Sequence, residues 1–129
     1  AEYLALAAAH GREYNGFSLI AGDLDSLYFT SNRAQGVARI APGVHGLSNH
    51  LLDTPWPKVQ RGKRMLHGLL DGNASLREDA LADALFGFLA DRTPAADGAL
   101  PETGIGQQRE RELSPAFISG ERYGTRAST

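Results

Sequence analysis

Between Pro42 and Lys63 the chain sets His45, Asn49, His50, Trp56 and Lys58 within twenty-two residues that also hold three glycines and three prolines. So much constrained backbone beside polar side chains is more than an ordinary connector needs, and the stretch reads as a candidate site. Asn49 has two readings. It is either a turn residue that hydrogen-bonds its own backbone, or a neutral N–H donor able to stabilise a developing oxyanion. Trp56, between Pro55 and Pro57, either staples a helix entry or walls a pocket for a planar or apolar ligand. Elsewhere, Ser31-Asn32-Arg33 is either a polar strand end or an anion-binding corner. Arg126 sits among small hydroxyl residues in a strand-like run, where an Arg is either held in an ion pair or set to depress the pKa of a neighbouring nucleophile. The four histidines, at 10, 45, 50 and 67, include no helical i, i+4 pair, so no metal site is expected. Gly104-Ile-Gly106 lacks the strand-to-helix context of a nucleotide fingerprint.

The elements that must position these residues follow from periodicity. Leu4, Ala5, Ala8 and Ala9 predict a helix over 2–10 lying on a core, with Gly11 as its stop. Phe17–Ala21 and Ser26–Thr30 predict a β-hairpin around Gly22-Asp-Leu-Asp25, and Val37–Ile40 a third strand. Asp53-Thr54-Pro55 reads as a helix entry, with Asp53 or Thr54 as the cap. Val59, Leu66, Leu69 and Leu70 would form the apolar stripe of that helix, leaving Gln60, Lys63 and His67 towards solvent. Ser75 and Glu78 make a capping box for a further helix with Leu81, Leu85, Phe88 and Leu89 inward. Residues 93–112 lack a hydrophobic period and are expected as a long loop. Pro115–Ser119 and Tyr123–Thr129 are expected as a second hairpin. The order of strands and helices predicts an α+β domain with a mainly antiparallel sheet.

At 129 residues the chain is expected to form a single domain. Apolar residues are 42% and charged residues 22%, and the longest apolar run, Tyr3–Ala9, is too short for a transmembrane segment. No export leader is recognisable, so a soluble cytoplasmic protein is expected. The absence of Cys excludes disulfides and a cysteine nucleophile within these residues. A net charge of −2 gives no general field for nucleic acid, which is not an expected partner. Local basic excess is confined to Lys58, Arg61, Lys63 and Arg64, either a solvated helix face or an anion-facing surface. Both ends have the look of cuts through a longer sequence, and exposed strand edges are expected to favour a homo-oligomer.

Five groups of residues carry a resemblance: Tyr14-Asn-Gly-Phe17 with Gly22-Asp23; Ser31-Asn-Arg33; Pro42-Gly-Val-His-Gly-Leu-Ser-Asn49; Leu52-Asp-Thr-Pro-Trp-Pro-Lys58 with Gly62-Lys63; and Tyr123-Gly-Thr-Arg126 with Ser128-Thr129. In type and order they resemble the NRDE family, the transport and Golgi organisation protein 2 family. That family is similar to N-terminal nucleophile hydrolases. The resemblance therefore implies a partial αββα sandwich, with this chain as a middle-to-C-terminal portion of the family domain. It also implies an oxyanion-hole role for Asn49 and a place near the nucleophile for Arg126. Family members carry a Cys after the initiator Met and then an Asn-Arg-Asp-Glu motif. Both are missing here, so the nucleophile of a Cys amidohydrolase would lie outside this chain. Roles proposed within the family imply binding and trafficking of haem or of acyl-coenzyme A and lipid. Asn32, Arg33, His45, His50, Trp56 and Lys58 are then the ligand-binding candidates, the basic residues suiting propionate or phosphate.

Overall fold

The computed structural model describes residues 2–72, 77–121 and 123–128. They fall into two compact units, divided in sequence between Thr54 and Pro55.

The first unit begins with α1 (Glu2–Ala9), built from strong helix formers with an acid in its first turn. Its inward face runs through Leu4, Ala7 and Ala8, at spacings of three and four, while Ala5 and Ala9 are exposed rather than packed. Gly11 tightens the chain into a single 3-10 turn over Gly11–Glu13. Three strands follow: β1 (Ser18–Gly22), β2 (Leu27–Ser31) and β3 (Val37–Ile40). They pair antiparallel in the order β1-β2-β3, with Ser18 opposite Ser31 and Leu27 opposite Ile40. The hairpin lies one residue later than its apolar runs suggest, because Asp23 closes the turn. Asp23 Oδ1 accepts the amides of Asp25 at 3.0 Å and Ser26 at 2.8 Å. The core sits between α1 and the central strand, where Leu4 and Phe29 are buried with Thr30 and Ser31. Both hydroxyls are partnered, Thr30 donating to the Gly36 carbonyl and Ser31 to that of Phe17.

The second unit holds α2 (Pro57–Asp71), α3 (Glu78–Leu89) and α4 (Gln107–Leu113). Helix α2 starts later than expected: Trp56 is the N-cap residue, Pro57 occupies the first turn, and no side chain caps it. Val59 is buried, Leu66 and Leu69 are half-buried, and Leu70 faces solvent at 63% exposure. Gln60 and His67 are exposed as expected, whereas Lys63 is half-buried. The two long helices pack at Gly62, where an added Cβ would stand 2.6 Å from Phe88 Cζ. On α3, Leu81, Phe88 and Leu89 are half-buried and Leu85 lies at the rim. The capping box rested on Ser75, which is outside the described residues.

Two expectations for the second unit change. Residues 93–112 are not one loop, since a 3-10 turn forms at Asp97–Ala99 and α4 opens at Gln107. The run of Gln, Arg, Glu and Leu favours helix once Gly106, at φ +89°, has redirected the chain. Among the described residues the second hairpin shows one antiparallel bridge, Ser119 with Gly124, beside a bond from the Thr125 amide to the Ile118 carbonyl at 2.9 Å. Side chains and other segments take further groups that a ladder would use. Thr125 Oγ1 accepts the Ile118 amide at 3.0 Å, and the Phe117 amide donates to the Asp91 carbonyl at 2.8 Å. Four helices and one three-stranded antiparallel sheet among the described residues make this an α+β fold. No helix among them is long and apolar enough to cross a membrane.

Candidate functional site

In the first unit, the corner at Ser31–Arg33 pins the segment that leads into β1. Asn32 Oδ1 accepts the Phe17 amide at 2.8 Å. Its Nδ2 donates to the carbonyls of Gly11 at 2.8 Å and Asn15 at 3.0 Å, with a longer contact to Tyr14 at 3.3 Å. Each end of the amide is used inside the fold. Gly11 is required here, because a Cβ on it would lie 2.8 Å from Asn32 Cβ. The Arg33 guanidinium lies over Gly16, and its backbone amide donates to Ser31 Oγ at 3.1 Å. The corner acts as a fastening for residues 11–17.

The loop from Ala41 to Thr54 carries His45, Asn49 and His50. Asp53, at φ +58°, closes it rather than capping a helix. Its amide donates to the Gly46 carbonyl at 2.8 Å, and its Oδ1 accepts the Gly46 amide at 3.0 Å. Asp53 Oδ2 stands 2.6 Å from His45 Nδ1, and the Ala41 carbonyl 2.8 Å from His45 Nε2. With an acceptor at each nitrogen, the ring satisfies both bonds when both nitrogens carry protons. His50 is held differently. Thr54 Oγ1 donates to the Leu51 carbonyl at 2.8 Å, so it accepts from His50 Nδ1, also at 2.8 Å. That contact has the ring donate from Nδ1. Asn49 is exposed, and its amide makes no hydrogen bond among the described residues, to its own backbone or elsewhere.

The remaining candidates belong to the second unit. Trp56 is half-buried at the head of α2, with the Lys58 ammonium 5.9 Å from its ring centre. Lys58 Nζ donates to the Leu113 carbonyl at 2.8 Å, tying the first turn of α2 to the C-terminal end of α4, and burial pushes its pKa down. Arg61 is also engaged, bonding Asp91 at 2.5 Å and the Thr93 carbonyl at 3.2 Å. The start of α2 is therefore not a wholly solvated basic face. Asp91, which periodicity does not mark, is a node: its carboxylate takes Arg61 and the Thr93 amide, and its carbonyl takes Phe117. The sequence signal for it is the Asp-x-Thr turn just past a helix end. Arg126 is exposed and makes no ion pair or hydrogen bond among the described residues, so neither burial nor pairing accounts for it. Buried Glu110 and its partner Thr103 also fall outside the candidates chosen from the sequence.

Fold and loop together define an α+β chain in which polar side chains fasten the backbone around a few uncommitted groups. The whole chain, residues 1–129, matches the family model described as Transport and Golgi organisation 2, and the chain belongs to that family. The Transport and Golgi organization protein 2 homolog of Bos taurus is 34% identical over 140 aligned positions, covering 98% of this chain and 49% of that protein. The homologs from Mus musculus and Homo sapiens are each 31% identical over the same coverage. The chain thus spans about half the length of the curated relatives it matches. The family expected from the motifs is the family found.

Proposed function

We propose that this chain supplies the binding part of a small-molecule carrier, with haem as its cargo. The observation that carries the reading is that one loop presents two imidazoles, His45 and His50, the ligand type that holds haem iron, with both rings oriented by hydrogen bonds to Asp53, Ala41 and Thr54. Leu47, 40% exposed in the same loop, adds apolar surface. The word transport in the names of the relatives is in keeping with a carrier. Acyl-coenzyme A ranks second as cargo, because Lys58 and Arg61, the cations suited to its phosphates, are tied to Leu113 and Asp91. Haem titrated into the protein should give a shifted Soret band that His45→Ala or His50→Ala alters. A band unaltered in both variants would sink the assignment. Cytoplasmic residence belongs to the same proposal, and recovery of the protein in a membrane pellet would remove it.

A second reading rests on Asn49. An amide with no internal bond is available to a developing oxyanion, where one such donor lowers a barrier by on the order of 3 kcal/mol. In that reading Asn49 serves a Cys nucleophile supplied from outside these residues, as in an amidohydrolase. A thiol-reactive acyl analogue should then label the N-terminal Cys of the longer protein, and Asn49→Ala should slow the labelling. Labelling that proceeds equally in the variant rules out the role of Asn49.

A further inference from the structure

Asn15-Gly16 is the one Asn-Gly step in the chain, and it lies in the segment that Asn32 fastens. Both residues are exposed. The Asn15 side chain and the Gly16 amide make no hydrogen bond among the described residues, so neither group is held elsewhere. Two neighbours act on the peptide bond between them. Asn32 Nδ2 donates to the Asn15 carbonyl at 3.0 Å, which draws electron density from that peptide and makes the Gly16 N–H more acidic. The Arg33 guanidinium lies against Gly16, so close that an added Cβ would overlap its Nε, Cζ and Nη2. Arg33 is exposed and has no ion pair among the described residues, so no carboxylate neutralises it. A cation in that place favours both the deprotonated amide and the oxyanion that its attack would create. Glycine is required for the approach, since a side chain would push the guanidinium away.

We propose that Asn15 is a site of self-modification, converted to aspartyl and isoaspartyl residues through a succinimide that Arg33 promotes. The exposed Asn15 side chain swings onto the peptide plane that Asn32 and Arg33 hold. The Gly16 amide gives its proton to solvent, and its nitrogen forms a bond to Asn15 Cγ. The Cγ–Nδ2 bond then breaks, and the side-chain nitrogen takes up an equivalent proton and leaves as ammonia. Water adds to one of the two ring carbonyls and opens the ring. Cleavage of the ring bond at Cγ leaves Asp, and cleavage at the main-chain carbonyl leaves the iso form. Solvent water is the only co-reactant. Either product adds a carboxylate beside the unpaired Arg33, and the iso form lengthens the main chain by a methylene within the segment that Asn32 pins.

Incubation of the folded chain at mildly alkaline pH, followed by mass spectrometry of the tryptic peptide that carries Asn15, tests this. Conversion reads as the mass rise of an amide-to-acid exchange, and fragment ions assign it to Asn15 or to Asn32. Asn15 should convert, and Arg33→Met, which keeps an apolar stem without the charge, should slow it several-fold. In urea, where the guanidinium no longer lies against Gly16, the two chains should convert at one rate. No conversion at Asn15 in the folded chain, equal folded rates with and without Arg33, or a difference that persists in urea overturns the proposal. Circular dichroism checks that the variant is folded. Should it unfold, sodium chloride decides: it must slow the folded wild-type chain, because salt screens an exposed cation, and a rate indifferent to salt overturns the role of Arg33.

Discussion

Ser31-Asn32 and Ser48-Asn49 are the same dipeptide in the same unit, with opposite fates. Asn32 reaches the carbonyls of Gly11 and Asn15 and the amide of Phe17. The Asn49 amide makes no hydrogen bond among the described residues. The difference lies in what surrounds them. The segment from Gly11 to Phe17 has backbone groups outside the ladder that the side chain at the end of β2 meets. In the loop from Gly46 to Thr54, by contrast, the backbone is closed by Asp53 and Thr54 before Asn49 could compete. The comparison separates fastening groups from uncommitted ones. Asn32, Asp53 and Asp91 belong to the first kind, and Asn49 and Arg126 to the second.

The largest expected effect belongs to Asn32. Asn32→Ala orphans the part-buried Phe17 amide and leaves the Gly11 carbonyl with only the Tyr14 amide, and should destabilise the protein by about 2–4 kcal/mol, at roughly 1 kcal/mol per net bond plus the cost of the orphaned amide. Urea denaturation measures this. A loss below about 0.5 kcal/mol would erase the distinction between the two asparagines.

Asp91 extends the comparison to the second unit. The Thr93 hydroxyl and amide, with the Arg61 guanidinium, lower its pKa from the ordinary 3.8 to about 2. A depressed carboxylate stabilises the fold above its unfolded pKa and loses that contribution as pH falls through the folded value. Stability should therefore decline between about pH 4 and pH 2, and Asp91→Asn should flatten that part of the profile. An identical acid profile in the variant would mean that Asp91 is not a fastening group.

Much of this division is hidden at the level of sequence, for identifiable reasons. Runs of apolar and aromatic residues located β1, β2 and β3 to within a residue, and a stripe of Leu and Val located α2, because those patterns depend on which residues are buried. The entry to α2 was misread because Asp53-Thr54-Pro55 satisfies the local rule for a cap, while Gly46 and His45 take Asp53 through contacts seven and eight residues away. The same holds for Glu110, which looks like any acid on a charged helix until Thr103 folds back onto it. Motif order reached the family from one end of the chain to the other, but the partner of each asparagine had to come from the fold.

The smallest expected effect is the sharpest test. Because Asn49 is exposed and holds no partner, Asn49→Ala should change stability by no more than about 0.5 kcal/mol. A side chain that contributes nothing to the fold can be removed without confusing function with folding, which Asn32 does not permit. If Asn49→Ala instead costs as much as Asn32→Ala, the loop depends on the amide as a turn lock. The oxyanion reading then loses the observation on which it rests.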